Sequence, residues 1–360
     1  MIAVADLKTF YVKHSISDDQ RGELYSTLVM LLENNVLLID ALNELLAVAS
    51  DDGAHPNKPV ALLLASLIES VSEGRSFAAS IRPWVSAFEA EIIAAGERSG
   101  NLGDAFTDAL SAIRVRKTLI GTVVGKALYP FVLLLLFCGL LYVVSTKLVP
   151  SLATIAPPDD WTGSAGIMYA AAQYATNFGL ATAVVFVLLI VAIIASFSRL
   201  TGTVRYYLDR YPPWSVYRRI VGALMLKNVA VLIRSGVTMH DALTLLATDT
   251  TPYLRERLNA ALVATTQGLN FGEALIASQF DFPDAEANKY LRVMASRQGF
   301  DRSLVRFSEQ WIERTVKKVG ATMNLFFIAA LLLTGAAFLV ILDAGNQLQD
   351  LIDTAANSRL

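Results

Sequence analysis

The chain contains a single cysteine, Cys138, and only three histidines, His14, His55 and His240. One cysteine excludes an internal disulfide framework and a cysteine-based metal site. No histidine belongs to an HExxH or similar cluster, so no metal centre is expected. Period-2 alternation of apolar and polar residues is almost absent, which argues against strands. GxSxG, CxxC and GxGxxG are also missing. The segment 121–127 resembles a phosphate loop. One residue too few separates Gly121 from Gly125, however, and Ala127 stands where Mg²⁺ needs a hydroxyl. Neither an enzyme nor a cofactor is therefore expected. The first residues lack the apolar core of a cleavable signal peptide.

Positive charge is missing from two long stretches. No Lys or Arg occurs between Lys147 and Arg199, or between Lys318 and Arg359. Segments 1–126 and 199–318 hold all but Lys147 and Arg359 of the 30 basic residues. The flanks of membrane spans that carry Lys and Arg are the cytoplasmic ones. Overall charge is low, at 17%, hydrophobic content is 54%, and mean hydropathy is +0.48. Soluble domains average about 25% charged residues. An integral membrane protein is the consistent reading.

Three apolar runs have spanning length. They are Leu128–Val149, Asn177–Phe197 and Ala321–Leu342. Lys126 marks the inner edge of the first, where Pro130 is expected in the opening turn. The expected organisation is a cytoplasmic domain 1–126, a span 127–149, a periplasmic loop 150–176, a span 177–198, a second cytoplasmic domain 199–320, a span 321–342 and a periplasmic tail 343–360. The N-terminus is expected inside and the C-terminus outside. No span carries a charge at its middle, which weakens a transporter or channel, the alternative reading.

The two cytoplasmic segments repeat each other. Val36, Asp40, Ala41 and Leu42 correspond to Val237, Asp241, Ala242 and Leu243. Gly74 and Phe77 correspond to Gly268 and Phe271, and Gly100 to Gly299. Apolar residues recur at three- and four-residue steps, so each repeat reads as a bundle of five to six helices. The fold class is all-α: two repeated cytoplasmic bundles and three transmembrane helices. The first repeat carries 11 basic and 16 acidic residues, the second 17 and 11. Such opposed charges suit either mutual contact or different partners. The basic repeat lacks the interleaved aromatics of a nucleic-acid groove.

The sharpest local motif is Gly96, Glu97, Arg98, Ser99, Gly100, Asn101 and Leu102. Gly100 suits a positive-φ turn, and Asn101 and Asp104 suit the cap of the next helix. Glu97 falls near a helix C-terminus, where the dipole disfavours a carboxylate. It therefore needs a partner: Arg98, Arg114, a group bracing the turn, or another protein. The second repeat has Ser296 in that place, followed by Arg297 and Gly299.

With these blocks, and with Tyr129 and Pro130 opening the first span, the chain resembles the inner-membrane platform protein family of type II secretion systems and type IV pili. Its first repeat starts early, as in compact members from type IVb or conjugative pilus systems. The resemblance implies a bacterial inner-membrane scaffold. It would couple a cytoplasmic assembly ATPase to polymerisation of pilin or pseudopilin subunits. Implied partners are that ATPase, the subunits, other inner-membrane assembly proteins, membrane lipid and further copies of the chain. From the turn motif itself, the residues expected to contact a partner, first of all the ATPase, are Gly96, Glu97, Arg98, Gly100 and Leu102, with Arg297 and Gly299 at the matching turn of repeat 2. Ser296 inherits no role from Glu97.

Overall fold

The computed structural model describes residues 15–154, 157–248 and 250–357. Among them only helices and turns form. The chain divides into two compact units: residues up to 120 with 198–316, and residues 121–197 with those from 317 on.

The first unit contains both repeats. Repeat 1 begins with α1 (Asp18–Glu33), α2 (Leu38–Ser50), α3 (Pro59–Ser72), α4 (Phe77–Ile81) and α5 (Ala87–Ser99), and closes with the start of α6 (Leu102–Val143). Repeat 2 follows the same order. Its helices are α10 (Trp214–Arg234), α11 (Met239–Thr248), α12 (Pro252–Thr266), α13 (Phe271–Ala277), α14 (Ala285–Ala295) and the start of α15 (Phe300–Asn357). Both bundles thus have six helices when the first turns of the long ones are included.

Local chemistry sets the helix ends. Ser17 and Gln20 form a reciprocal capping box at α1, satisfying donors that the helix start leaves open. Ser86 caps α5 and Asp284 caps α14, at matching positions in the two repeats. Gly74 and Gly268 both have φ +84°, and Gly100 and Gly299 have +73° and +74°. The repeat therefore extends to backbone torsions that only glycine adopts freely. Asp241 lies in the first turn of α11 and its N–H donates to Thr238, so the cap there is the threonine.

One apolar core fills repeat 1 around Tyr25, Leu28, Leu64, Phe77 and Phe106. The other, in repeat 2, surrounds Leu226, Val229, Leu243, Tyr253, Phe271 and Leu291, and it also takes in Ile92, Ala105 and Leu119 of repeat 1. The repeats are consequently welded through shared burial, the main favourable term in folding.

The second unit holds the parts within 121–197 and from 317 on of three helices long and apolar enough to cross a membrane: Leu102–Ala153, Gly163–Arg199 and Phe300–Asp350. The first includes a π-helical stretch, Val144–Leu148, followed by α7 (Val149–Ala153); the second is α8 (Gly163–Arg199). Pro130 does not open a helix. It lies inside α6, where it removes a hydrogen bond to the carbonyl four residues back. Most of segment 150–176 is helical, being covered by α7 and the first turns of α8. A small core gathers Val144, Val149, Trp161, Ala165, Met168, Ala344 and Leu348. There the Ala165 N–H donates to Gln347 Oε1 at 3.3 Å. Elsewhere in this unit, Tyr129 meets Phe327 edge-on at 6.3 Å.

Candidate functional site

The turn between α5 and α6 is held by three features. The N–H of Gly100 donates to the Glu97 carbonyl at 3.2 Å, and that of Asn101 to the Gly96 carbonyl at 2.8 Å. These bonds use up carbonyls that the end of α5 would otherwise leave open. Gly96 itself is buried against α6: a Cβ there would lie 2.3 Å from Ala105 Cβ and 3.0 Å from the Asn101 carbonyl oxygen. Asn101 Oδ1 accepts from the Asp104 N–H at 3.4 Å, capping α6 as its position predicts.

Glu97 finds its partner inside the protein. Its Oε1 accepts from the Phe77 N–H at 2.7 Å, and its Oε2 from the Ala78 N–H at 2.9 Å. The carboxylate therefore leaves the negative end of α5 and sits on the positive end of α4. Neither Arg98 nor Arg114 is the partner. Arg98 turns the other way and pairs with Glu91 at 3.2 Å. Leu102 is half-buried against the repeat 1 core.

Repeat 2 solves the same problem differently. Helix α13 carries its own capping box, with Asn270 Oδ1 accepting from the Glu273 N–H and Glu273 Oε2 accepting from the Asn270 N–H, both at 3.0 Å. Ser296 accepts a longer bond, 3.4 Å, from Asn270 Nδ2. Gly272 replaces Ala78 of repeat 1, and a Cβ on it would lie 2.0 Å from the Arg292 backbone nitrogen. The close approach of α13 to α14 thus takes the place of a bridging carboxylate. Arg297 and Gly299 are exposed at the turn.

The structure places Arg98 and Asp241, the repeat 2 counterpart of Asp40, on the lining of one cleft. Arg98 and Glu91 line one side of a cleft of about 450 Å³, and Val237, Thr238, Asp241 and Thr244 line the other. A second cleft, of about 370 Å³, also lies between the repeats, and Arg21, Glu89, Tyr217 and Leu254 contribute to its walls. Asp108 of repeat 1 is paired with Arg234 of repeat 2, so oppositely charged repeats do meet.

Periodicity gave no sign of the buried polar clusters. In repeat 1, Tyr25 donates to Glu89 Oε2 at 3.0 Å, and Ser86 Oγ donates to Oε1 at 3.1 Å. Burial, reinforced by the Glu89 charge, pushes the Tyr25 hydroxyl well above its ordinary range, so it remains a donor. In repeat 2, Asp209 Oδ2 accepts from Arg257 at 2.7 Å and from Tyr253 at 3.0 Å. The only advance signal was the i, i+4 spacing of Arg205 and Asp209. Among the described residues no group of three or more His, Cys, Asp or Glu side chains is placed to hold a metal ion.

Comparison with known proteins agrees with this architecture. The family model "Type II secretion system (T2SS), protein F" matches residues 24–150 and 225–343, one repeat with its apolar helix each time. The toxin coregulated pilus biosynthesis protein E of Vibrio cholerae serotype O1 is 25% identical over 282 residues, covering 74% of this chain and 78% of that protein. Two matched repeats, three apolar helices and an all-helical fold make this a multi-pass inner-membrane protein of the secretion and pilus platform type, and the chain belongs to the type II secretion system protein F family.

Proposed function

We propose that this protein couples a cytoplasmic assembly ATPase to the polymerisation of pilin or pseudopilin subunits. The observation that carries the reading is the continuity of α6 and α15. Each begins as the last helix of a repeat and runs on as an apolar helix, over Leu102–Val143 and Phe300–Asn357. A push or twist on a repeat therefore reaches an apolar helix through hydrogen-bonded backbone, with no loop to absorb it.

In this reading the N-terminus is cytoplasmic and the C-terminus periplasmic. The membrane holds 127–149, 177–198 and 321–342, and the segments 150–176 and 343–360 lie outside. The turns at Gly96–Leu102 and at Arg297–Gly299 face the ATPase or another assembly protein. Glu97 sets the shape of the first turn, and exposed Arg98 and Arg297 make the contacts. Subunits, lipid or a second copy pack against the spans, where a Cβ at Gly139 or Gly335 would meet nothing within 4 Å. Small faces of that kind allow close helix approach.

The test is deletion of the gene, scored for surface filaments and for secreted protein. Complementation compares the intact chain with Arg98→Glu and Arg297→Glu. The intact chain restores the lost output, and the double variant accumulates normally but fails to restore it. Unchanged filaments and secretion after deletion, with no second copy of the system, would sink the coupling reading in favour of a transporter or channel.

A further inference from the structure

Helix α9 (Gly202–Leu208) is built inside out. On an ordinary surface helix apolar residues face the core and charged residues face water. Here Arg205 is 0% exposed and Asp209, one turn on, 1%, whereas Val204, Tyr207 and Tyr211 are 64%, 58% and 67% exposed. Val204 and Tyr207, at i, i+3 spacing, share one face of the helix, and exposed Tyr211 follows in the turn beyond Leu208, so the three make one apolar, aromatic stripe.

The buried side is fastened at several points. Asp209 accepts from Arg257 and Tyr253. The Arg205 guanidinium lies 4.3 Å from the centre of the Tyr253 ring and 5.4 Å from that of Tyr217. The Gly202 N–H donates to Glu256 Oε1 at 2.9 Å. Desolvated charges held this way fix the rotation of α9, since turning it would strip Asp209 and Arg257 of their partners. The apolar stripe is therefore pinned facing outward.

What covers the stripe follows from the chain path. The apolar helix α8 ends at Arg199, and Gly202 is three residues later. Extended backbone spans about 3.5 Å per residue, so α9 starts within about 10 Å of the end of a membrane-crossing helix. The stripe bears tyrosines, which concentrate at membrane interfaces because their rings suit acyl chains and their hydroxyls suit headgroups. Arg210 lies over Tyr206 and Tyr207, 5.3 and 5.5 Å from the ring centres. It thereby adds an exposed cation beside the stripe. Across 199–219 five arginines face a single acid, Asp209.

We propose that Val204, Tyr207 and Tyr211 lie in the headgroup layer of the bilayer, with Arg210 bound to anionic lipid phosphate. The segment is a lipid-anchored collar at the foot of the second apolar helix, clamped to repeat 2 from its inner side. This surface does not depend on coupling to an ATPase.

The test uses the full-length chain in nanodiscs, with Cys138→Ser and a nitroxide placed by Tyr207→Cys or, separately, Tyr211→Cys. An identical label at Asp52→Cys, in an exposed acidic loop, supplies the aqueous reference. Collisions are measured with membrane-soluble oxygen and with a water-soluble nickel complex. The expected result is nickel accessibility at least fivefold lower at 207 and 211 than at 52. Phosphatidylglycerol should lower it further relative to phosphatidylcholine alone, and Arg210→Glu should abolish that lipid dependence. Equal nickel accessibility at all three positions would overturn the lipid contact and leave a protein as the occupant of the stripe. Low accessibility indifferent to phosphatidylglycerol would overturn the anionic-lipid role of Arg210. Neither result bears on the filament and secretion test, so the two readings fail separately.

Discussion

Glu97 illustrates how a side chain that looks available for a partner can be committed to the fold. Both carboxylate oxygens are occupied by backbone N–H groups of α4. Hydrogen bonds to charged acceptors each contribute about 1.5–3 kcal/mol. The partial exposure of this pair argues for the lower end. Glu97→Ala, which loses both bonds, is expected to cost about 3 kcal/mol, and Glu97→Gln, which keeps one acceptor but loses the charge on the helix dipole, about 1.5 kcal/mol. Urea unfolding of the solubilised protein, followed by helical circular dichroism, measures both. Equal stability of all three proteins would show that the α4 contact does not hold in solution. Glu97→Lys would lower protein levels for the same reason, so it is a poor probe of partner binding. Arg98→Glu and Arg297→Glu alter exposed groups and are better ones.

At the scale of elements, the decisive feature is that the last helix of each repeat does not stop. Leu102–Val143 and Phe300–Asn357 are single helices, and the capping chemistry explains where they begin. Asn101 caps the first, and positive-φ glycines, Gly100 and Gly299, precede both. Inside α6, Pro130 removes one backbone bond yet the helix continues. Proline in an apolar span is tolerated when neighbours compensate. If α6 transmits work, a flexible break should abolish output without affecting folding. Insertion of Gly-Gly-Ser-Gly after Gly121, an exposed position, is expected to leave membrane levels within twofold of normal and reduce filaments or secretion at least tenfold. Normal output from that variant would rule out transmission along α6.

At the scale of the whole molecule, the two repeats share a core. Ile92, Ala105 and Leu119 of repeat 1 are buried with repeat 2 residues, and α5 packs on both α10 and α11. Asp108 is nearly buried and relies on Arg234. Removing the partner of a desolvated carboxylate costs about 1–3 kcal/mol, and the half-exposed state of Arg234 again favours the lower part of that range. Arg234→Ala is therefore expected to speed hydrogen exchange in both repeats together, in α1 as well as α10, by about fivefold or more. Exchange that accelerates in repeat 2 alone would show that the repeats open independently.

The amino-acid order by itself determined the features that depend on near neighbours. Three apolar runs, helical periodicity, paired glycines and a twofold repeat are all local patterns, and water and bilayer impose them before any tertiary contact exists. Asn101 as a cap and Gly100 as a left-handed turn belong to this group. The tertiary structure alone decided which distant groups meet. Glu97 pairs with residues twenty positions back, Tyr25 with Glu89 sixty-four positions on, and Asp108 with Arg234 in the other repeat. Candidates for such pairings are numerous in a chain with 62 charged residues, and desolvation selects among them only once the helices are packed. The same rule placed Arg205 and Asp209 inside and Tyr207 outside. Spacing alone marks two faces of that helix; the packing of α12 beneath it determined which face was buried.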